Sequence, residues 1–598
     1  RLGRCWSLPR ALCHLPCGAM GGLKAPSSMG IHSGDKKVIP KGAARISQDT
    51  FDEAVRENMD DLEMDEEEAV ADAIAQFEAQ GIDLSSVLKA APSAERDAHP
   101  IVRGLAVIAS ATAAGVEQVR ELEYGAGAAK STMKLKFHAF VFGGEAGGEA
   151  GGAADGAADD DVVPDPPTEA AVVDALRAVR EACEQPGEDG TSARALLGAR
   201  DGVDLLSSAA LSLLPTPSAL PHALLALAAA VADAENRERI GVRGLVAVRA
   251  CIAEHPDDAA VQAAALRAAT AAMVQHEQNR ATLGEQGGLV ATAVRTLEAH
   301  ADSTDTSLAA CAALRALTLQ DDARVALNKG FERARAAADA GALPLLAALL
   351  RRFSAEGDAP AAASVLLTCS RLACSNKICE KLVNLGVLEE CVQLLRAHLQ
   401  DVPLLRPAAA LLAALAGNDA VKQRLCDARA PELCAALLGG HTDSPPALES
   451  CTGFLAMLTT RHTDNCIAFV DAGGVEALMG AMRAAPAHVG FIKKGCLAVR
   501  NLAVRHPPSI KQLLEHGGEA VLRDAMGRSA ELHDEAKAAL RDMHCDVTLA
   551  QPWKGMPGEE HILERGDANG EDRFAQYLDT DEARAAMRAA GFDTSQMC

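Results

Sequence analysis

Short apolar stretches, each introduced by a glycine, recur at a nearly constant interval from about residue 168 to residue 550. Positions 386, 430, 474 and 518 occupy matching places, and 44 residues separate each from the next. Upstream, the series continues through Gly341, Gly288, Gly244 and Gly202 at spacings of 45, 53, 44 and 42. Self-similarity at a fixed period is typical of repeat architectures. The longer interval of 53 predicts an insertion around residues 328–338.

The apolar pattern within each repeat predicts three short helices, as the unit that begins near Gly474 shows. Apolar side chains follow helical spacing in residues 475–482 and again in residues 495–504, and a proline interrupts the chain after each stretch. Residues 509–515 form a third predicted helix, which leads to the next glycine pair at 517 and 518. Glycine suits the left-handed position that often follows a helix end. No such helix can bury its stripe alone, so neighbouring units must stack into a continuous core.

The period and the composition together predict the fold class. A repeat of 40 to 47 residues with two or three helices is the range of armadillo and HEAT repeats. Aromatic residues make up 3% of the chain and hydrophobic residues 49%, so the core must consist of Ala, Leu and Val. This composition disfavours β-sandwiches and propellers, whose strands prefer β-branched and aromatic residues. We expect an all-α fold, a right-handed superhelical solenoid of about eight units over residues 168–550.

An acidic helical segment, residues 46–92, precedes the repeats. Phe51, Val55, Met59 and Leu62 follow helical spacing, and twelve acids but only one base, Arg56, lie between residues 49 and 72. The acids form either a solvated helix face or an interaction arm for a basic partner. Residues 93–167, rich in Gly and Asp, are predicted to be a disordered low-complexity linker or insert, with a short strand as one option for 130–142.

The two ends of the chain lack the repeat pattern. Residues 551–598 are predicted to be a polar tail. The first 34 residues contain no acid but carry Arg1, Arg4, Arg10 and Lys24, a composition that transit peptides share. Because Met20 and Met29 are both plausible starts, we favour translated upstream sequence or a gene-model artefact for this leader, residues 1–45, over organelle targeting.

Charge and cysteine usage exclude several classes of function. The net charge of −24 would repel a phosphate backbone, so nucleic acid is not an expected partner. No apolar run reaches the roughly 18 residues that span a bilayer, so no membrane partner is expected. Most of the 17 cysteines lie in apolar helical stretches and none forms a Cys-x-x-Cys pair. We therefore expect reduced, buried thiols and a cytoplasmic or nuclear location.

The sequence contains no complete motif for catalysis or for binding a cofactor. Residues 124–131 faintly resemble a phosphate-binding loop, but Tyr124 and Ala129 stand where glycines must let the backbone wrap the phosphates. Residues 567–578 begin like a calcium loop, but Leu578 occupies the place of the bidentate Glu. Metalloprotease, serine-hydrolase and paired-carboxylate patterns do not occur. We predict no catalytic residue, no metal site and no cofactor.

Six runs of sequence are distinctive when they are taken together, namely residues 46–58, 76–84, 276–280, 416–419, 499–502 and 536–542. In this order they resemble the armadillo repeat-containing protein 6 family. The resemblance covers about residues 46–92 and 168–555, and the chain departs from the family at 93–167 and after 555. The resemblance implies an armadillo solenoid that acts by binding proteins, and it brings no established enzymatic chemistry.

In an armadillo stack the third helix of each unit lines a concave groove that can hold an extended peptide. Arg315, Arg371 and Arg500 recur at related points of their units, with Lys493, Lys494 and Asn501 nearby. Either each cation caps or salt-bridges a neighbouring unit, or the cations are basic rungs that bind an acidic or phosphorylated segment. The chain's own acidic arm, residues 49–72, is one such segment.

The favoured function is a non-enzymatic scaffold that presents this groove to other proteins. A nuclear-transport adaptor that binds cargo signals is the alternative. Adaptors of similar fold use a ladder of Trp and Asn, whose Trp rings sandwich the stems of basic residues. Here Trp6 and Trp553 both lie outside the repeats, which disfavours that mechanism.

Overall fold

The computed structural model describes residues 46, 48–82, 84, 91, 98–124, 131–140, 142 and 166–547. The predictions for the leader, residues 1–45, and for the tail, residues 551–598, lie outside the described residues. The same holds for the calcium-like loop at 567–578 and for residues 125–130 of the phosphate-like loop.

The acidic arm is a helical hairpin with its own small core. Helices α1 (Gln48–Asp61) and α2 (Glu66–Ala79) pack together. The Asp65 side chain caps α2 by accepting the backbone N–H of Glu68 at 2.9 Å. Leu62 is 58% exposed because α1 ends one residue before it, so its predicted place on the apolar stripe is wrong. The core consists of Phe51, Val55, Ala69, Ala73, Phe77 and Leu84.

A long stack of helices and one β-hairpin follow the arm. The first half contains α3 (Pro100–Ala113), β1 (Val116–Tyr124), β2 (Ser131–Ala139), α4 (Glu169–Glu184), α5 (Glu188–Ala199), α6 (Gly202–Ser212), α7 (Leu220–Ala230), α8 (Ala234–Arg239), α9 (Gly241–Glu254), α10 (Ala259–Met273), α11 (Glu277–Ala281) with a π-helical turn (Thr282–Gln286), α12 (Leu289–Ala299), α13 (Thr304–Thr318), α14 (Gly330–Asp339), α15 (Ala342–Glu356) and α16 (Ala359–Leu372). The second half contains α17 (Asn376–Asn384), α18 (Val387–Ala397), α19 (Val402–Ala416), α20 (Asp419–Asp427), α21 (Ala430–Gly440), α22 (Pro445–Thr459), α23 (Thr463–Asp471), α24 (Gly474–Ala484), α25 (Val489–Arg505), α26 (Ser509–Glu515), α27 (Gly518–Arg528) and α28 (Ala530–Asp542).

Helices α5 to α28 form eight three-helix units within residues 188–542. The third helices α4, α7, α10, α13, α16, α19, α22, α25 and α28 pack one against the next and make a continuous face. One core cluster, built mainly from Ala, Leu and Val, runs from Ile101 to Met543. The prediction of an all-α armadillo-type solenoid is therefore confirmed, with the hairpin as an addition to it.

Buried asparagines join the first helices of successive units. Asn236, Asn279 and Asn465 are at most 5% exposed, and each Nδ2 donates to a backbone carbonyl 42 or 43 residues earlier. Each also donates to the carbonyl of the last or the last-but-one residue of the preceding third helix, at 2.8 to 3.1 Å. A buried carbonyl without such a donor is costly, so these amides fix how one unit sits on the next.

The glycines that mark the period have two different roles. Gly386, Gly473 and Gly517 precede second helices with φ of 81°, 76° and 77°, a left-handed conformation that favours glycine. Gly244 instead lies inside α9, where an added Cβ would come within 2.7 Å of Ser207 Oγ. The periodic glycines therefore mark a helix start in some units and a close helix contact in others.

The solenoid begins earlier than residue 168. Helix α3 lies within the stretch predicted as a disordered linker, yet it packs against α4 and α6 and buries Ile101 and Ile108. Its apolar spacing resembles that of a second helix. It was not predicted because the rest of residues 93–167 is rich in acids and glycine. The antiparallel hairpin β1–β2 follows α3 and contacts α6 and α9, so part of residues 93–167 is an insertion into the stack.

The insertion in the fourth unit lies between helices α13 and α14, before the place that the spacing predicted. Residues 319–329 form the connection, which we name the strap, while α14 is the regular first helix of the unit. Helix α14 buries Arg333, Ala334 and Ala337. Its alanine-rich sequence was mistaken for the inserted part, and residues 328–338 are therefore the wrong location.

Candidate partner-binding face

The six residues predicted to line the groove all lie on third helices. Arg315 is on α13, Arg371 on α16, and the other four, Lys493, Lys494, Arg500 and Asn501, are on α25. These helices belong to one continuous face. The structure thus brings the candidates to one side of the solenoid, in three of its units.

The guanidinium of Arg315 joins two units. Its Nη1 donates to Ser364 Oγ and Thr368 Oγ1, both at 2.9 Å, and to the carbonyl of Ser364 at 3.0 Å. Burial lowers the pKa of Arg315. Its donors are therefore used inside the solenoid, on helix α16.

The candidates on α25 also bind neighbouring units. Lys494 Nζ lies 2.9 Å from Glu449 Oε1 of the preceding third helix, and Arg500 Nε lies 2.9 Å from Asp542 Oδ2 of the following one. Lys493 is 3.8 Å from Glu535. These contacts match the interpretation that each cation bridges its neighbour; a role in holding a partner stays a prediction.

Arg371 and Asn501 differ from the other candidates. Arg371 is exposed, and the described residues offer it neither a hydrogen bond nor an ion pair. Asn501 Nδ2 donates to the carbonyl of Ala456 at 2.9 Å and to Thr460 Oγ1 at 3.1 Å. Its Oδ1 accepts no hydrogen bond within the described part of the chain, and it remains available to a partner's N–H.

Two aligned rows of side chains, which were not predicted from the sequence, cross the third-helix face. The rows lie nine and thirteen residues after the N-cap residues of α16, α19, α22 and α25, which are Asp358, Asp401, Ser444 and His488. Positions four residues apart share a helix face, so the rows run side by side. The first row is Leu367, Ala410, Gly453 and Leu497, and the second is Arg371, Ala414, Met457 and Asn501.

The rows form a shallow apolar floor. Ala410 is exposed, Met457 is 37% exposed and Leu497 is 39% exposed. The small residues are Ala410 and Gly453 in the first row and Ala414 in the second. Val504, seven residues after Leu497 on α25, is 56% exposed. Arg406 is the sole charged residue in the fifteen of α19. A helix with exposed positions but almost no charged residues is a sequence signal from which the apolar floor could have been predicted.

A buried ion network lies on the opposite edge, among first helices. Arg280 is fully buried and pairs with Glu277 at 3.1 Å and with Asp321 of the strap. Arg333 lies 2.7 Å from both Glu277 and Glu285. Two arginines and three carboxylates thus join α11, the π-helical turn, the strap and α14.

Hydrogen bonds from backbone N–H groups to carboxylates anchor the strap at both ends. At its start, Asp321 and Asp322 accept the backbone N–H groups of Gln275 and Glu277 at 3.1 and 2.8 Å. Arg324 pairs with Asp322 at 2.8 Å and with Glu238 of α8. At its end, the N–H of Lys329 donates to Glu277 Oε1 at 3.4 Å. The strap therefore spans the first helices of three units.

The sequence matches two family models, one over the solenoid and one over the arm. The model named ARMC6 matches residues 164–562, which is more than half of the chain. The chain belongs to the armadillo repeat-containing protein 6 family. The model of the Armadillo repeat-containing protein 6 N-terminal domain matches residues 43–101. The hairpin β1–β2 lies between these two ranges.

Two relatives in this family are 26% and 29% identical to the chain over the residues that align. The human Armadillo repeat-containing protein 6 is 29% identical over 401 residues, covering 64% of this chain and 68% of the human protein. The Drosophila melanogaster homolog is 26% identical over 517 residues, covering 85% of this chain and 97% of the fly protein.

Solved structures with some similarity include engineered and designed repeat proteins. An engineered protein of the Northeast Structural Genomics Consortium, target OR497, has a TM-score of 0.48 at 22% identity and covers 63% of this chain and 90% of its own. The designed armadillo repeat protein YIII(Dq)4CqI has a TM-score of 0.36 at 22% identity, covering 42% and 99%.

The part of the chain that the structure describes holds no group of three His, Cys, Asp or Glu side chains arranged as metal ligands. In the same residues, no helix combines the length and the apolar character needed to cross a bilayer. The cysteines described in the structure are free, and burial raises the pKa of most of them, that of Cys451 to about 12. Such thiols are poor nucleophiles.

The strap of this armadillo protein should detach from the first helices at low pH. Hydrogen bonds from Arg324 lower the pKa of Asp322, and those from His276 and Arg324 lower the pKa of Glu238. Burial is the largest influence on the pKa of Glu277 and raises it, but the hydrogen bonds and charge of Arg333, together with hydrogen bonds from Arg280 and Lys329, make the net shift downward. A carboxylate with a lowered folded-state pKa stabilises the fold above its unfolded pKa, about 4, and this stabilisation is lost as the pH falls further.

Hydrogen exchange of residues 319–333 at pH 7 and at about pH 3 measures this effect. The strap should lose more protection than helix α22, which carries no buried ion network, when each is corrected for intrinsic exchange. Replacing Asp322 with Asn should flatten the pH dependence. Equal losses in both segments would show that the network does not control the strap.

Proposed function

We propose that this solenoid is a non-enzymatic scaffold that binds a segment of a partner protein along its third-helix face. The observation that carries the proposal is the pair of aligned rows across α16, α19, α22 and α25. Their exposed Met457 and Leu497 offer apolar area to a ligand, and the small side chains of Ala410 and Ala414 on α19 let its backbone approach closely.

An extended segment suits this surface better than a globular domain. Packed helices lie about 8–10 Å apart, so rows across four units form a track on which alternate side chains of an extended chain can each meet one unit. Asn501 Oδ1 supplies an acceptor for a backbone N–H of the segment. An extended ligand also keeps its contacts spread over several units, as solenoid surfaces allow.

The charge of Arg371 selects an acidic or phosphorylated group at one end of the track. A guanidinium binds carboxylate or phosphate in a bidentate manner, and this one has no partner among the described residues. The other candidate cations engage Glu449, Glu535 and Asp542 or, for Arg315, hydroxyls and a carbonyl. Within this proposal the acidic arm, residues 49–72, competes with the partner for Arg371.

No observation favours the rival function, a transport adaptor for basic cargo signals. Such signals need aromatic or acidic side chains along the track. The track has no Trp, and its exposed charge is positive. Our proposal for location is the cytoplasm, the nucleus or both, which the free thiols support.

Replacing Met457 and Leu497 together with Glu tests the proposed function. Proximity labelling and quantitative recovery of partners should fall at least about tenfold, because two buried carboxylates would replace apolar contacts. Ile467→Glu, on first helix α23 and 37% exposed like Met457, is the matched control. Unchanged recovery in the double variant, or equal loss in the control, would refute binding at the third-helix face.

A further inference from the structure

The tip of the strap exposes large apolar side chains. Leu327 is 87% exposed, Val325 is 39% exposed, and Phe331, at the start of α14, is 51% exposed. Single exposed apolar residues are ordinary on protein surfaces, but three of them within seven residues form a local patch. This patch belongs to the first-helix edge and lies outside the rows on the third helices.

The strap holds this patch in place. Its anchors, Asp321 and Asp322 before the tip and the Lys329 N–H after it, bond directly to residues 275 and 277 of the preceding unit. The turn between the anchors is closed by the Val325 N–H, which donates to the Asp322 carbonyl at 3.3 Å. A loop that is already ordered loses little conformational entropy when it binds a ligand. The patch is therefore preorganised.

Three exposed lysines near the patch have no carboxylate partner among the described residues. Lys329 lies two residues before Phe331, and the Sγ of Cys374 contacts the Phe331 carbonyl at 3.9 Å, which places the start of α17 beside it. Lys377 and Lys381 lie one turn apart on α17, and they and Lys329 are exposed. None of the three forms an ion pair with a described residue, whereas Glu380 on the same helix accepts a hydrogen bond from Asn418.

We propose that the strap tip and these three lysines form a second docking surface, for an acidic segment of another protein that carries apolar side chains. Leu327 and Phe331 supply the area that a ligand buries, and the unpaired ammonium groups select carboxylates. These lysines carry a charge opposite to the net charge of the chain, −24, and therefore attract the acidic groups of a ligand. This surface is independent of the third-helix face.

A nucleic acid fits the edge poorly. Binding to phosphates requires a longer series of cations, and it makes no use of an exposed leucine and phenylalanine on a preorganised loop. The combination of apolar tip and basic rim matches a peptide that has both acidic and apolar residues.

Selection from a random peptide library displayed on phage tests the proposal. The full chain is the bait, and the double variant Leu327→Ser/Phe331→Ser is the counter-selection bait. Peptides specific for the wild type should be rich in Asp or Glu and in large apolar residues. Their affinity should fall at least about tenfold in the double variant and in Lys329→Glu/Lys377→Glu, and it should weaken as salt is raised.

Controls separate this surface from the rest of the molecule. Val242→Ser, on α9 and 45% exposed, should leave binding unchanged, and thermal melting checks that every variant folds. The proposal is wrong if no peptide distinguishes wild type from the double variant, or if the selected peptides are not acidic. It is also wrong if binding depends on Met457 and Leu497 instead, or if strap-dependent peptides emerge only after deletion of residues 46–92, since the arm would then be the occupant.

Discussion

Arg280→Met is expected to lower the free energy of unfolding of the central units by about 3–5 kcal/mol, because it leaves the buried Asp321 carboxylate without its cation and takes one of two cations from Glu277. The Arg280 side chain is fully buried and pairs with Glu277 and Asp321. Methionine fills a similar volume, so the loss reports the charge more than a cavity. Urea denaturation, together with hydrogen exchange of residues 275–285 and 319–333, measures it, since solenoid units can unfold separately.

The matched control removes an exposed cation. Lys511 lies 3.7 Å from Glu515 on α26, with both side chains largely in solvent, and Lys511→Met should change stability by no more than about 0.5 kcal/mol. The double variant Arg280→Met/Asp321→Leu should recover part of the loss, because the stranded carboxylate is then gone. Equal effects in Arg280→Met and Lys511→Met would show that the network contributes nothing.

Phe454→Ala should also cost about 3–5 kcal/mol, through the cavity it leaves in the core of α22. Phe454 is fully buried, three residues before Met457 of the apolar floor. The lost support should loosen the floor as well as the core, so partner recovery should fall together with stability. Urea denaturation and exchange of α22 amides measure the first effect, and the labelling assay measures the second.

Phe331→Ala is the control for Phe454→Ala, because the same side chain is removed where it is half exposed. Its effect on stability should lie within about 0.5 kcal/mol. If the two phenylalanines prove equally costly, the burial of Phe454 does not determine the stability of this unit.

Much of the fold could be predicted because it depends on local pattern. The helical period and the marker glycines specify three short helices per unit, and such helices can bury their stripes only by stacking. Helix α3 and the strap were misplaced for a related reason. Helix α3 extends the repeat beyond its recognised start, and the strap interrupts the period. Composition alone did not distinguish helix α14, with its buried Arg333, from an inserted loop.

The candidate site could be predicted only in part. The pattern predicted Arg315, Arg371, Arg500 and their neighbours as groove residues, and the structure places them on the third helices of their units. Whether a cation is free depends on acceptors far away in the sequence. Lys494 finds Glu449 at a separation of 45 residues, and Arg315 finds Thr368 at 53, so no local pattern distinguishes these engaged cations from Arg371.

The sequence by itself determined the repeat, the helical composition, the acidic arm and the family, since each of these is written in residues that are neighbours along the chain or one period apart. Only the tertiary structure decided which charged side chains pair with neighbouring units, where the strap crosses the first helices, and which side chains align into rows. Those features arise when stacked units bring together groups more than 40 residues apart, and the geometry of that packing is not contained in the period.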